Sequence, residues 1–474
     1  MGLKDAAVNI AVKEGIKYLR KDFDNNSIAL IEKGKKKYAD NELYLRAFNR
    51  LEEGLKRPGN KWADFIKSLI VDTDPEVLEK LVKPIISTFF KSYEKRVESI
   101  EKYDCNVPWA ILMDITTACN LKCTGCWASE YDKTKQLTYD DICKIIREGK
   151  ELGTYAYLYT GGEPLMRKKD LIRICEENPD CLFLSFTNGT LCDDAFADDV
   201  RRVGNLLLAF SIEGSEETTD ARRGKGTYKA VIDAMARLKS RGVPFGTSLC
   251  CTKENTDVIA SDEYADFLVS QGVVFAWYFL YVPAAYGAGS ELMADARQRE
   301  LLYDQIRKWR FKETKPLFTI DFFNDSEYVG GCIAGGKQYF HISANGDCEP
   351  CVFVHYSNVN IKEKSLLEAL RSPLFMAYRA RQPFSDNMLR PCPVMDNPGA
   401  LKKMLYDTNA KSTALEGAES YDVLFNKTVD VAKIWKETAD RMAQEHGFLT
   451  KRLRSIDLYS DVEAKRLRDF KEFE

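Results

Sequence analysis

Six short apolar runs, set apart by stretches of helical periodicity, constrain this chain more than any other feature. Between residues 105 and 325 the runs Trp109–Ile115, Tyr155–Tyr159, Leu182–Thr187, Leu206–Ile212, Phe245–Cys251 and Val274–Tyr281 each read as a buried strand. Helix signals fall between them. Thr138, with Asp141 three residues on, is an N-cap pattern ahead of Ile142, Ile145, Ile146 and Leu152. Thr227 stands in the same way before Val231, Ile232, Met235 and Leu238. Strands that alternate with helices predict an α/β fold with a parallel sheet and helical crossovers. In such sheets ligands gather at the C-terminal ends of the strands.

The flanking sequence differs in character. Residues 1–104 read as a charged helical region, with Ile10, Ile16 and Leu19 at near-helical spacing. Residues 326–400 form an irregular extension rich in glycine and proline, and residues 401–474 return to charged helical sequence. The chain of 474 residues is long enough for this four-part organisation. Lys plus Arg is 69 and Asp plus Glu is 72, so there is no overall positive charge to hold nucleic acid, and no nucleic-acid partner is expected. The longest apolar stretch, Val273 to Val282, is too short to cross a membrane. A cytoplasmic location is expected, with peripheral membrane contact through the helical end as the one membrane role considered.

Three histidines are too few for a His-rich metal site, whereas fourteen cysteines are many. In a reducing compartment clustered cysteines favour metal ligation over disulfides. Cys119, Cys123 and Cys126 fall in a C-x3-C-x2-C spacing directly after the first strand. Thiolates are the usual ligands of iron–sulfur centres, and three of them on a four-iron cluster leave one iron open. A closed zinc site takes four ligands, and no fourth Cys or His lies nearby in the sequence.

This triplet at the head of a six-fold strand–helix alternation resembles the radical S-adenosylmethionine (SAM) superfamily. The resemblance implies a partial (βα)6 barrel over residues 105–325 and a 4Fe–4S cluster on Cys119, Cys123 and Cys126. It implies SAM bound at the open iron and cleaved reductively to a 5′-deoxyadenosyl radical. The second strand runs into Gly161-Gly162-Glu163, similar to the family's GGE element, which implies contact with the SAM amino group. Asn188 after the third strand implies a place on the SAM pocket. Ser211 and Glu213 after the fourth imply contact with ribose hydroxyls, and Arg223 contact with the SAM carboxylate. One position departs from the family pattern. The residue before the third cysteine, usually aromatic and near the adenine, is Gly125, and Trp127 follows that cysteine instead.

Cys332, Cys348, Cys351 and Cys392 form a second group. Gly346-Asp347-Cys348-Glu349-Pro350-Cys351 resembles the Gly-x4-Cys element of the auxiliary-cluster extensions called SPASM and twitch. The resemblance implies one auxiliary iron–sulfur cluster, with zinc as the alternative occupant. Asp321 and Asp325, just upstream, are candidates for proton transfer. The expected function is hydrogen abstraction from an unidentified substrate. Peptide or protein side-chain modification is favoured, and a lipid chain or another apolar small molecule is the alternative. A non-catalytic iron–sulfur or zinc protein is the distant one. A low-potential donor such as flavodoxin or ferredoxin is the expected electron source.

Overall fold

The computed structural model describes residues 3–40, 42–57, 59, 61–88, 92–128, 133–285, 287–414 and 420–446. Of the sequence read as charged helical, 401–474, residues 415–419 and 447–474 lie outside the described residues. Nine strands form one sheet: β1 (Ala110–Thr116), β2 (Ala156–Gly161), β3 (Leu182–Thr187), β4 (Leu206–Ser211), β5 (Gly246–Cys251), β6 (Phe275–Leu280), β7 (Phe318–Asp321), β8 (Tyr339–Ile342) and β9 (Cys348–Glu349). Their spatial order is β7-β6-β5-β4-β3-β2-β1-β8-β9. Neighbours from β7 through to β8 are parallel, and only β8 with β9 is antiparallel. The α/β class with a parallel sheet is therefore as expected.

Local chemistry explains the crossovers. Thr138 accepts from the Asp141 backbone N–H at 3.0 Å and Asp141 accepts from the Thr138 N–H at 2.9 Å. This box opens helix Tyr139–Leu152, which buries Ile142, Ile145, Ile146 and Leu152 against the sheet. Gly153, at φ 103°, closes the helix in the left-handed region that a side chain resists. The helix at 227–240 starts differently from its sequence reading. Gly226, at φ 86°, is the cap, and Thr227 is already the first helical residue.

Three strands of the sheet, β7, β8 and the two-residue β9, were not expected. β7 has only four residues, too few to show a period. β8, Tyr-Phe-His-Ile, sits inside the segment read as irregular, yet it pairs with β1 from Ala110↔Tyr339 to Met113↔Ile342. Ahead of β1, six helices from Leu3–Lys21 to Ser92–Tyr103 are described. They rest on the α/β region through specific contacts. The Asp74 N–H donates to Gly242 O at 2.8 Å, Asp74 pairs with Arg201 at 2.7 Å, and Trp62 Nε1 donates to Arg310 O at 3.0 Å. Among the described residues, no helix is long and apolar enough to cross a membrane.

Candidate functional site

The loop after β1 is held at its base by the glycine pair after β2. Gly162 N–H donates to Thr116 O and Glu163 N–H to Ala118 O, both at 2.8 Å. A Cβ on Gly162 would lie 2.2 Å from Ala118 O, and one on Gly161 would lie 2.4 Å from Thr116 O. Backbone meets backbone here, so only glycine fits. At its tip the loop is tied to the helix after β4, through Thr124 N–H to Arg222 O at 2.9 Å. Arg223 Nη1 lies 3.9 Å from Cys123 Sγ.

The result is a cavity of about 190 Å³ at the C-terminal end of the sheet. Cys119, Cys123 and Cys126 line it together with Gly161, Gly162, Glu163, Asn188, Ser211 and Arg223. Burial raises the Cys119 and Cys126 thiols above their usual range, while Arg222 and Arg223 pull the Cys126 thiol back down.

Glu163 and Asn188 brace this wall. The Glu163 carboxylate accepts from Leu165 N–H at 2.9 Å, Thr187 Oγ1 at 2.7 Å and Asn188 N–H at 2.8 Å. Burial raises its pKa above the carboxylate norm, against those three donors. Asn188 Nδ2 donates to Asn120 Oδ1 at 2.9 Å, which joins the end of β3 to the cysteine loop.

Glu213 stands behind the cavity rather than on its wall. It is 1% exposed, and it accepts from Arg222 Nη1 at 2.6 Å and Arg223 Nε at 2.8 Å. It therefore positions two guanidinium groups at the site. Trp127, considered only as a substitute for the aromatic residue missing at Gly125, also lines the cavity, as do Arg222, Cys250 and Tyr281, which were not among the residues expected to hold cofactor. For Arg222 the adjacent arginine pair was the available signal. For Tyr281 it was its place at the end of the sixth apolar run.

The second cysteine group faces another cavity, of about 720 Å³. Cys332, Cys351 and Cys392 all line it, whereas Cys348 does not. Cys348 is buried in β9 with its Sγ 4.0 Å from Gly346 O. Burial pushes the Cys332 thiol up to about 12 and the Cys351 thiol up to about 11. The Cys392 Sγ accepts from Val394 N–H and Met395 N–H, each at 3.4 Å, but burial outweighs these contacts and raises the thiol well above its ordinary range.

Most of the rest of this wall is apolar. It includes Leu184, Leu207, Trp277 and Phe322 from the sheet side and Trp62 from the N-terminal helices. Asp321 and Asp325 are on it too, but both are engaged. Asp321 accepts from Asn324 N–H at 3.1 Å and Asn324 Nδ2 at 2.8 Å, and Asp325 pairs with Arg310 at 2.6 Å. Aromatic rings partition the two cavities: Phe186 lies 5.5 Å from Trp277 and Phe279 lies 5.0 Å from Phe322. Phe353 borders both spaces.

The donor sets suit clusters at both places. Each cavity is lined by three thiols, and the first adds two cations and a glycine wall open to a ligand. Among the described residues, no three His, Cys, Asp or Glu side chains are gathered as they would be around one metal ion.

Residues 113–260 match the model of the radical SAM superfamily, and residues 332–394 match SPASM, an iron–sulfur cluster-binding domain. An AdoMet-dependent heme synthase of Nitratidesulfovibrio vulgaris is 24% identical over 66% of this chain and 92% of that protein. The sporulation killing factor maturation protein SkfB of Bacillus subtilis is 25% identical over 56% of this chain and 65% of its own length. Among solved structures, SuiB of Streptococcus suis bound to S-adenosylmethionine superposes with a TM-score of 0.52 at 18% identity. That match covers 61% of this chain and 72% of SuiB, a likeness of fold.

Proposed function

We propose that this chain, an enzyme that carries a radical SAM domain and a SPASM iron–sulfur domain, abstracts hydrogen from an apolar side chain of a peptide substrate. One observation carries the reading. Three cysteines, a glycine pair and two arginines from three different strand ends line a single cavity. A 4Fe–4S cluster with SAM, held there, supplies a hydrogen-abstracting radical after one-electron reduction. Cys119, Cys123 and Cys126 are the ligands in this reading. The Gly161–Gly162 backbone and Asn188 border the amino acid end of SAM, and Ser211 borders its ribose. Arg223 meets the SAM carboxylate, held in place by Glu213. Glu163 acts as a positioning residue, because its oxygens are already taken by backbone and Thr187 donors.

The peptide preference draws on similar proteins such as the sporulation killing factor maturation protein SkfB and the PqqA peptide cyclase of Bradyrhizobium diazoefficiens. The apolar wall of the larger cavity supports an apolar group as the part that enters. Its lining arginine, Arg310, is already neutralised by Asp325 at 2.6 and 2.7 Å, which disfavours a polyanionic guest. That same wall also favours the second reading, a lipid chain or other apolar small molecule. Cys332, Cys351 and Cys392 hold the auxiliary cluster in this proposal, and a flavodoxin or ferredoxin supplies the electron.

Anaerobic reconstitution followed by SAM and a strong reductant should yield 5′-deoxyadenosine and methionine. The Cys119/Cys123/Cys126 triple-Ala variant should lose that product and about four irons per chain. Unchanged iron, or methyl transfer as the only SAM chemistry, would refute the assignment. Comparing peptides, lipids and metabolites between wild-type and deletion strains separates the two substrate readings.

A further inference from the structure

Two tyrosines share the wall of the larger cavity with Cys332, Cys351 and Cys392. Tyr339, on β8, brings its hydroxyl to 2.8 Å from Cys351 Sγ. Tyr378 belongs to the helix Pro373–Arg381 and is fully buried. Its backbone carbonyl accepts from Gln382 N–H at 3.0 Å, and Phe384 packs edge-on against its ring at 5.4 Å. Gly335, at φ 64°, leaves the ring its place, because a Cβ there would lie 2.5 Å from Tyr378 Cβ. The ring is thus fixed. Yet its hydroxyl is buried with no hydrogen-bond partner among the described residues. An unpaired buried hydroxyl is costly, and folded proteins keep few of them. Burial first, and then the neighbouring Cys332, Cys351 and Cys392, hold this phenol well above its ordinary pKa, so it remains a donor. A donor without an acceptor therefore stands beside three sulfurs that are placed to carry a cluster.

Resting on the auxiliary cluster proposed above, we infer that Tyr339 and Tyr378 are its hydrogen-bond donors and set its reduction potential. Tyr339 donates to the Cys351 thiolate, and Tyr378 donates to sulfur of the cluster itself. Neither is a ligand. A donor to sulfur stabilises the reduced, more negative form of a cluster and so raises its potential. Such outer partners tune a metal centre without binding it. Two phenols in a wall that is otherwise mostly apolar make this cluster a better one-electron acceptor than the cysteines alone would.

The test uses the full chain with Cys119, Cys123 and Cys126 changed to Ala, reconstituted anaerobically, so that the auxiliary cluster is read alone. Its potential is titrated by electron paramagnetic resonance, and its irons are resolved by Mössbauer spectroscopy. Tyr339→Phe and Tyr378→Phe keep each ring and should leave the iron content and the iron sites at the values of this background. Each should make reduction about ten-fold less favourable, a shift of about 59 mV to lower potential for one electron. The two residues lie on different elements, so each variant tests its own contact. An unchanged potential in either variant would overturn the role of that tyrosine. A lost or altered single iron site in Tyr378→Phe would make Tyr378 a ligand and would overturn its role as a donor. A background protein that takes up zinc, or no iron, would instead overturn the auxiliary-cluster reading, and this inference with it.

Discussion

Asp396→Ala should be among the most damaging single changes outside the first cavity. Arg299 and Asp396 are 1% and 0% exposed at the side chain and meet at 2.9 Å. At an effective dielectric constant near 20, two unit charges at that distance attract by about 6 kcal/mol, most of it offset by the desolvation of both. The second Asp396 oxygen accepts from Cys392 N–H at 3.0 Å, so the pair also sets the Cys392 turn. The guanidinium lies 3.9 Å from the Trp435 ring centroid, on the helix Tyr421–His446. Removing the carboxylate strands a buried cation, and the expected loss is about 3–5 kcal/mol. A chain of this length does not unfold in one step, so the measurement is native-state hydrogen exchange of the Cys392 turn and the helix Tyr421–His446. Exchange there should accelerate by roughly two to four powers of ten. The double variant Arg299→Met with Asp396→Leu should recover most of the loss, because it leaves no unpaired charge. Wild-type exchange in Asp396→Ala, or a double variant as damaged as the sum of the singles, would refute the reasoning.

Other expectations follow from the same geometry. Gly162→Ala forces a methyl group to within 2.2 Å of Ala118 O and should displace the cysteine loop. A loss of about 1–3 kcal/mol and reduced cluster loading are expected, read by thermal shift and iron assay. His341 is fully buried between Asp114 at 3.0 Å and Glu349 at 2.7 Å. Burial alone would lower its pKa, but the two carboxylates outweigh burial and lift it to about 10. Its stabilising charge is fully present below its unfolded value, near pH 6.5, and is lost as pH rises through about 10. Denaturation midpoints should therefore fall between those limits, and His341→Gln should flatten that slope. Glu163→Gln turns one acceptor into a donor facing an N–H, so SAM affinity should fall about ten-fold through displacement of the Asn188 turn, as calorimetry would detect.

The strands were legible because each is an apolar run bounded by a cap or a turn. Leu182–Thr187 matches its expected bounds, and the other five differ by one or two residues at an end. β7 was lost because Phe-Thr-Ile-Asp is too short to carry a period, and β8 because glycine-rich neighbours mask it. Residues with local spacing, such as Cys119, Cys123 and Cys126, could be found from the sequence. Residues that tertiary packing delivers could not. Trp62 reaches the larger cavity from about fifty residues before the sheet begins, and Arg222 and Tyr281 share a wall only after β5 has joined β4 to β6. The carboxylates deceived in the opposite direction. Glu213, Asp321 and Asp325 carry suitable chemistry, yet their oxygens serve arginines and backbone amides rather than an open space.

The pairing of β8 with β1 has a consequence for how this chain can be divided. The strand that carries the first cysteine loop would be the free edge of the sheet if β8 were absent. An uncovered parallel edge of apolar residues such as Ile111 and Met113 is a template for intermolecular strand addition. A fragment ending before residue 330 would thus be sticky at the very strand that leads to its cysteines. The auxiliary segment is a lateral seal as well as a cluster carrier, and cutting it away to isolate the first site would yield aggregates.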